Sequence, residues 1–177
     1  MRVHRKVYFD GKFLRLVEQD NWQFVERTTP GHPVAILAIV DGEVIMVEQY
    51  RVPLGRRALE LPSGLQDYGE DYLTTANREL EEETGYRAKS MVLRHLGQVS
   101  SGLTDEHIAL IEAFDCEKVS EGGGVAIENE QITVRRIPLV GIPECFNLPE
   151  YENVAVDPKL FAALFFYYHG KRLIHAD

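Results

Sequence analysis

Gly64–Tyr86 reads GLQDYGEDYLTTANRELEEETGY, and this stretch decides the fold. From Asp71 to Thr84 it holds neither Gly nor Pro, is rich in Leu, Ala and Glu, and stops at Gly85, a residue suited to ending a helix. With about 100° of rotation per residue and Glu79 set at zero, Glu83 falls at about 40° and Glu82 at about 300°. Leu73, Ala76 and Leu80 fall between about 60° and 120°, so an apolar stripe faces a core and three carboxylates run beside it. Glu81, at about 200°, points away. Like charges three and four residues apart destabilise a helix by about 0.2–0.5 kcal/mol per pair, and Arg78 alone cannot neutralise three of them. The residues by themselves leave two readings open. The stripe is a solvated acidic face, or it grips hard divalent cations such as Mg²⁺ through oxygen ligands.

Outward from this helix the chain alternates like strands. Val7, Phe9 and Lys12–Val17 flank Asp10-Gly11, a hairpin dipeptide, and Trp22–Arg27 forms a further strand. Val34–Val40 and Val44–Glu48 flank a second such dipeptide, Asp41-Gly42. Met91–Val99, His107–Phe114 and Gln131–Pro138 follow as strands. Asp157-Pro158 opens a second helix that Gly170 ends, with Leu160, Phe161, Leu164, Phe165 and Tyr168 as its apolar stripe. Strands mixed with two helices predict an α+β fold, a mixed β-sheet with helices packed against it.

The 177 residues, 45% apolar and 27% charged, predict a single domain over 1–177 with a core that needs no staples. Lys plus Arg number 19 against 28 Asp plus Glu, a formal charge of −9. That surface repels phosphate backbones and argues against nucleic acid as a partner; an acidic protein that handles phosphates needs cations between. No stretch reaches the ~18 apolar residues of a membrane span. The N-terminal residues lack a signal peptide's apolar run. Cys116 and Cys145 are too few for a disulfide framework and read as reduced thiols, so the expected location is cytoplasmic. His32, His95, His107 and His169 show no metal-ligand spacing and no nucleophile partner.

Gly64, Glu70, Arg78, Glu79, Leu80, Glu82, Glu83, Gly85 and Tyr86 spell G-x5-E-x7-R-E-U-x-E-E-x-G-U, where U is apolar. Average residue usage makes a chance match about one in 10⁹ starts. The stretch resembles the signature of the Nudix hydrolases without a gap. The resemblance implies the Nudix fold, an α/β/α sandwich in which a mixed sheet lies between helices, here with an N-terminal antiparallel strand region. It also implies Mg²⁺, with Mn²⁺ able to substitute, held by the Ser63 carbonyl, Glu79 and Glu83 with Glu82 beside them. Arg78 orients a glutamate, and Glu70 closes the loop onto the helix. Such ions neutralise a diphosphate and lower the pKa of an attacking water.

Segments outside the signature resemble the family's ADP-ribose pyrophosphatase branch, which cleaves nucleoside diphosphate sugars. Glu48-Gln49-Tyr50-Arg51 resembles its strand-end motif, whose Arg contacts substrate, and Glu60-Leu61-Pro62-Ser63-Gly64 its lead-in to the metal site. Trp22-Gln23-Phe24-Val25-Glu26-Arg27 is similar to the segment in which Trp stacks on the base and Arg reaches phosphate or ribose. On its own, Trp22 reads equally as a half-buried core aromatic. The implied substrate-binding set is Trp22, Arg27, Arg51, Glu60, Leu65 and Ser100, and residues 1–30 are implied to pair in a homodimer that helps enclose the base.

The proline that ADP-ribose enzymes commonly carry sixteen residues past the last signature glycine (85 + 16 = 101) is Ser101 here. Gly122-Gly123-Gly124-Val125 with Glu128 and Glu130 is similar to a segment of GDP-mannose hydrolases. The implied reaction is therefore Mg²⁺-dependent hydrolysis of nucleoside diphosphate sugars, with ADP-ribose giving AMP and ribose 5-phosphate, and with GDP-mannose as a further candidate. The resemblance implies a general base at Glu130, at Glu106 or at a signature glutamate such as Glu82, and whichever acts must come within about 2.6–3.2 Å of the water. The rival readings are a non-catalytic nucleotide-sugar-binding module and a Nudix hydrolase of another nucleotide class.

Overall fold

The computed structural model describes residues 4–124, 131–142 and 144–173. Its strands are β1 (Arg5–Asp10), β2 (Leu14–Gln19), β3 (Trp22–Arg27), β4 (Pro33–Val40), β5 (Glu43–Arg51), β6 (Arg56–Glu60) and β7 (Ser63–Leu65). After helix α1 (Tyr72–Thr84) come β8 (Tyr86–Arg87), β9 (Ser90–Gln98), β10 (His107–Phe114), β11 (Glu117–Lys118), β12 (Thr133–Pro138) and β13 (Ala155–Val156), then helix α2 (Lys159–Leu173).

β4 is a continuous apolar run because both its faces are covered. Val34, Ile36 and Ala38 pack with Ala76 and Leu80 of α1, while Ala35 and Leu37 pack with Leu160, Ala163 and Leu164 of α2. The two-residue period of a strand thus puts the helices on opposite faces, the expected α/β/α arrangement. β4 runs parallel to β10 and antiparallel to β5, so the sheet is mixed.

β4 and β5 pair only at Ile39↔Val44 and Val40↔Glu43, next to the Asp41-Gly42 turn. Beyond that they splay. β5 takes β6 as its neighbour and β4 takes β7, from Pro33↔Leu65 to Ala35↔Ser63. The connection between β6 and β7 is tied into the gap by the Ile36 N–H, which donates to the Pro62 carbonyl at 2.9 Å. Ser63 and Gly64 therefore sit at the mouth of the splay.

β1, β2 and β3 form a separate antiparallel sheet in which, of all its residues, Val17 is the one fully buried. Its first turn is not the Asp10-Gly11 dipeptide. Asp10 pairs with Arg15, leaving Gly11–Phe13 as the connection, because Val7↔Val17 and Phe9↔Leu16 pairing and the 2.9 Å Arg15–Asp10 ion pair set the register. The second turn, Asp20-Asn21, has both residues at positive φ and carries no glycine signal.

Two readings of α2 also change. The helix runs through Gly170 to Leu173, and its buried face is Leu160, Ala163 and Leu164, while Phe161, Phe165 and Tyr168 are exposed. The segment is apolar nearly all round, so two stripes of equal period compete, and the one carrying small Ala163 allows closer approach to the sheet. Among the described residues no helix is long and apolar enough to cross a membrane.

Candidate active site

Asp71 caps α1 by accepting from the Thr74 N–H at 2.8 Å, and Gly85 ends it in the left-handed region. Between these caps the core-facing stripe of Ala76 and Leu80 fixes the rotation of the helix, so Glu79 and Glu83 turn toward β7. Contact there is close. A Cβ placed on Gly64 would lie 2.0 Å from the Glu79 carboxyl carbon, so any side chain here would push that carboxylate aside. The Ser63 N–H donates to Glu83 Oε2 at 2.8 Å.

Arg78 knots the loop to the helix. Its Nε and Nη2 donate to the two Glu70 oxygens at 3.1 and 3.0 Å, and Nη2 also reaches the Leu65 carbonyl at 3.1 Å. Nη1 donates to Glu79 Oε1 at 2.7 Å and to Glu82 Oε2 at 3.3 Å. The Arg78 guanidinium, with the Thr75 hydroxyl, holds the Glu70 carboxyl down at about 2. The opposite holds deeper in. Burial pushes Glu83 up to about 8, reinforced by the neighbouring Glu79 and Glu60 charges, and burial also raises Glu79. Charge on this pair is expensive in the absence of a compensating cation.

Glu79 Oε1 and Glu83 Oε2 carry the hydrogen bonds just named, which leaves one oxygen of each without a partner among the described residues. No fully buried side-chain polar atom lacks a partner there, so these free oxygens open to the cavity beside them. Mg²⁺ is usually held by one or two carboxylates with the substrate's phosphates and water completing six oxygens. Two free carboxylate oxygens beside the Ser63 backbone fit that requirement. No three acidic, His or Cys side chains among the described residues already form a metal cage.

The cavity, of about 640 Å³, opens at the splay of β4 and β5. Glu79, Glu83, Ser63, Gly64 and Leu65 line it, as do Arg27, Arg51, Glu60, Arg78 and Glu106 from the expected set. Arg51 Nε donates to Glu60 Oε2 at 2.8 Å. Arg27 pairs with Glu106, joining two residues that the sequence reading assigned to separate tasks. The loop carrying Glu106 docks on β3, with the Val25 N–H donating to the Leu103 carbonyl at 2.8 Å.

Three expected residues stand outside this cavity. Glu82 turns to Arg78 and to an adjoining cavity with Ser120 and Gly122; Trp22 is 63% exposed on β3; the Ser100 carbonyl starts the turn that receives the Leu103 and Thr104 N–H groups. Glu130 lies outside the described residues. Further residues line the cavity beyond the expected set. Gln49 is 4% exposed and donates to Glu60 at 3.3 Å; its position one residue from Glu48 in a strand-end motif was a usable signal. Lys159 reaches the cavity from α2 with no local signal at all. Glu48 itself is buried and is gripped by Arg57 and, at 2.7 Å, by Arg135, so it ties β5 to β6 and β12.

The sequence model of the NUDIX domain matches residues 30–136. An ADP-ribose pyrophosphatase of Bacillus subtilis is 41% identical over 125 residues, which cover 67% of this chain and 66% of that protein. A methanol dehydrogenase activator of Bacillus methanolicus is 40% identical over 124 residues, covering 66% of this chain and 67% of that one. The alignments thus span about two thirds of these relatives. A solved structure of an ADP compounds hydrolase superposes with a TM-score of 0.76 over 99% of this chain and 96% of the other, at 20% identity.

Proposed function

The chain belongs to the NUDIX domain family, and from that premise we propose that it hydrolyses the diphosphate bond of nucleoside diphosphate sugars, ADP-ribose first, giving AMP and ribose 5-phosphate. The observation that carries the reading is the pair of carboxylates, buried Glu83 and half-buried Glu79, each with a free oxygen at a cavity lined by arginines. The 41% identical Bacillus subtilis relative supports the substrate. A complete signature argues against a module that binds without cleaving.

Glu79 and Glu83, with the Ser63 carbonyl, would hold Mg²⁺ or Mn²⁺. When bound, the ion neutralises diphosphate charge and makes a coordinated water acidic. The rest falls to the chain's own side chains. Arg78 fixes the Glu79 carboxylate and keeps Glu70 folded over the loop. Arg51 and Arg27 meet the anionic substrate, each in exchange for its glutamate partner. Glu106, freed from Arg27 as substrate arrives, accepts the proton of the attacking water. The nucleobase lies toward β3, where a second copy of the chain would cover exposed apolar residues of the β1–β3 sheet and complete the wall.

The test is a panel of ADP-ribose, GDP-mannose, UDP-glucose, NADH and dGTP, each with Mg²⁺ and with chelator, products separated by chromatography. AMP from ADP-ribose with Mg²⁺ alone is expected, with GDP-mannose slower. Predominant cleavage of dGTP or NADH would overturn the substrate, and full activity in chelator would overturn the metal.

A further inference from the structure

The two sides of the cavity differ in chemistry. Toward β3 and the end of β9 the Arg27–Glu106 pair is flanked by Pro33, Val99 and Ile108, an apolar patch suited to a base. Toward β5, β6 and α2 it is lined by Gln49, Arg51, Glu60 and Lys159, all polar. Lys159 is the first residue of α2 and lies 99 positions beyond Glu60 (159 − 60), yet the fold brings both to one wall. The Asp157 N–H donates to the Leu59 carbonyl at 3.0 Å, so the start of α2 is tied to the end of β6. Asp157 also accepts from the Lys159 N–H at 2.9 Å and pairs with its ammonium, which leaves the side chain 28% exposed at the cavity.

We propose that Lys159 is a substrate-binding residue for the sugar side of the molecule, its ammonium donating to the phosphoryl group that carries the sugar. The inference rests on the nucleoside diphosphate sugar reading and deepens it. A hydroxyl-rich pentose and its phosphate match a wall of amide, carboxylate and ammonium groups, while the purine matches the apolar patch of Pro33, Val99 and Ile108 opposite. A lysine suits the task as a compact charge with three donors that can leave Asp157 without disturbing the cap, since the Lys159 N–H holds that aspartate.

The experiment compares wild type with Lys159→Ala and Lys159→Met, the second retaining the apolar stem. Each is assayed with ADP-ribose, with AMP and ribose 5-phosphate as product inhibitors and thermal midpoints as the folding control. In both variants KM for ADP-ribose is expected to rise about tenfold and ribose 5-phosphate inhibition to weaken about as much, the loss of one charge-assisted hydrogen bond. AMP inhibition and kcat stay near wild type, and Lys159→Arg restores part of the loss. Equal weakening of both products, or no change in ribose 5-phosphate inhibition, overturns the assignment while wild-type cleavage of ADP-ribose upholds the general reading. If wild type releases no AMP from ADP-ribose, that reading falls and the assignment with it.

Discussion

The α1 segment and the N-terminal sheet are built on opposite terms. α1 is over-determined: it is capped at both ends, knotted to its loop through Arg78, and buried along Ala76 and Leu80. The β1–β3 sheet buries Val17 and leaves Phe9, Phe13 and Trp22 more than half exposed. The difference teaches that the clustered charge of the signature helix is held by rigid local structure. The N-terminal sheet, the proposed base end, instead has large apolar groups left exposed among the described residues.

The sharpest way to break this contrast is Glu83→Gln. If Glu83 grips the proposed cation, losing its carboxylate costs several kcal/mol of transition-state stabilisation, so kcat should fall about 10³-fold or more. Because the neutral form of Glu83 is already favoured by burial, the thermal midpoint of the metal-free protein should hold or rise. Steady-state kinetics and calorimetry read both, and undiminished turnover would end the metal assignment.

A smaller effect sits at the other end. Trp22→Ala should raise KM for ADP-ribose about 5- to 140-fold with kcat little changed, the ~1–3 kcal/mol of a stacked base. Phe9→Asp should reproduce part of that rise while shifting the sedimentation coefficient from dimer to monomer. If Phe9→Asp leaves KM and size alone, a partner at this sheet is not needed.

The gentlest probe is pH. Glu83 keeps its proton in the folded protein up to about 8 but releases it near 4.5 when unfolded. Metal-free stability should therefore fall as pH rises through that window and level off above it. Saturating Mg²⁺ should flatten the slope, as should Glu83→Gln, and midpoints across the range measure it. Glu70, held at about 2, contributes the other way, its stabilisation being lost only as pH drops below 4.5 toward 2.

Legibility in the sequence follows the range of the forces. β3 and β10 match their expected limits residue for residue, and α1 differs only in that Asp71 is its cap, because alternation, capping and Gly85 act within a few residues. The Gly11–Phe13 connection is not legible locally, since cross-strand pairing, not the dipeptide, chose the register. The face that α2 buries was equally hidden, because a helix apolar on most sides leaves the choice to whatever shape the sheet presents.

The order of residues alone established the carboxylate stripe, its spacing to Gly64 and the strands around it, since helical and extended periods are written locally in the backbone's geometry. Only the folded chain decided that Arg27 meets Glu106, that Glu82 and Trp22 stand outside the cavity, and that Lys159 enters it. Those outcomes depend on where β4 parts from β5 and on how α2 seats against β6. Both are settled by packing between segments far apart in sequence, where no local pattern records the answer.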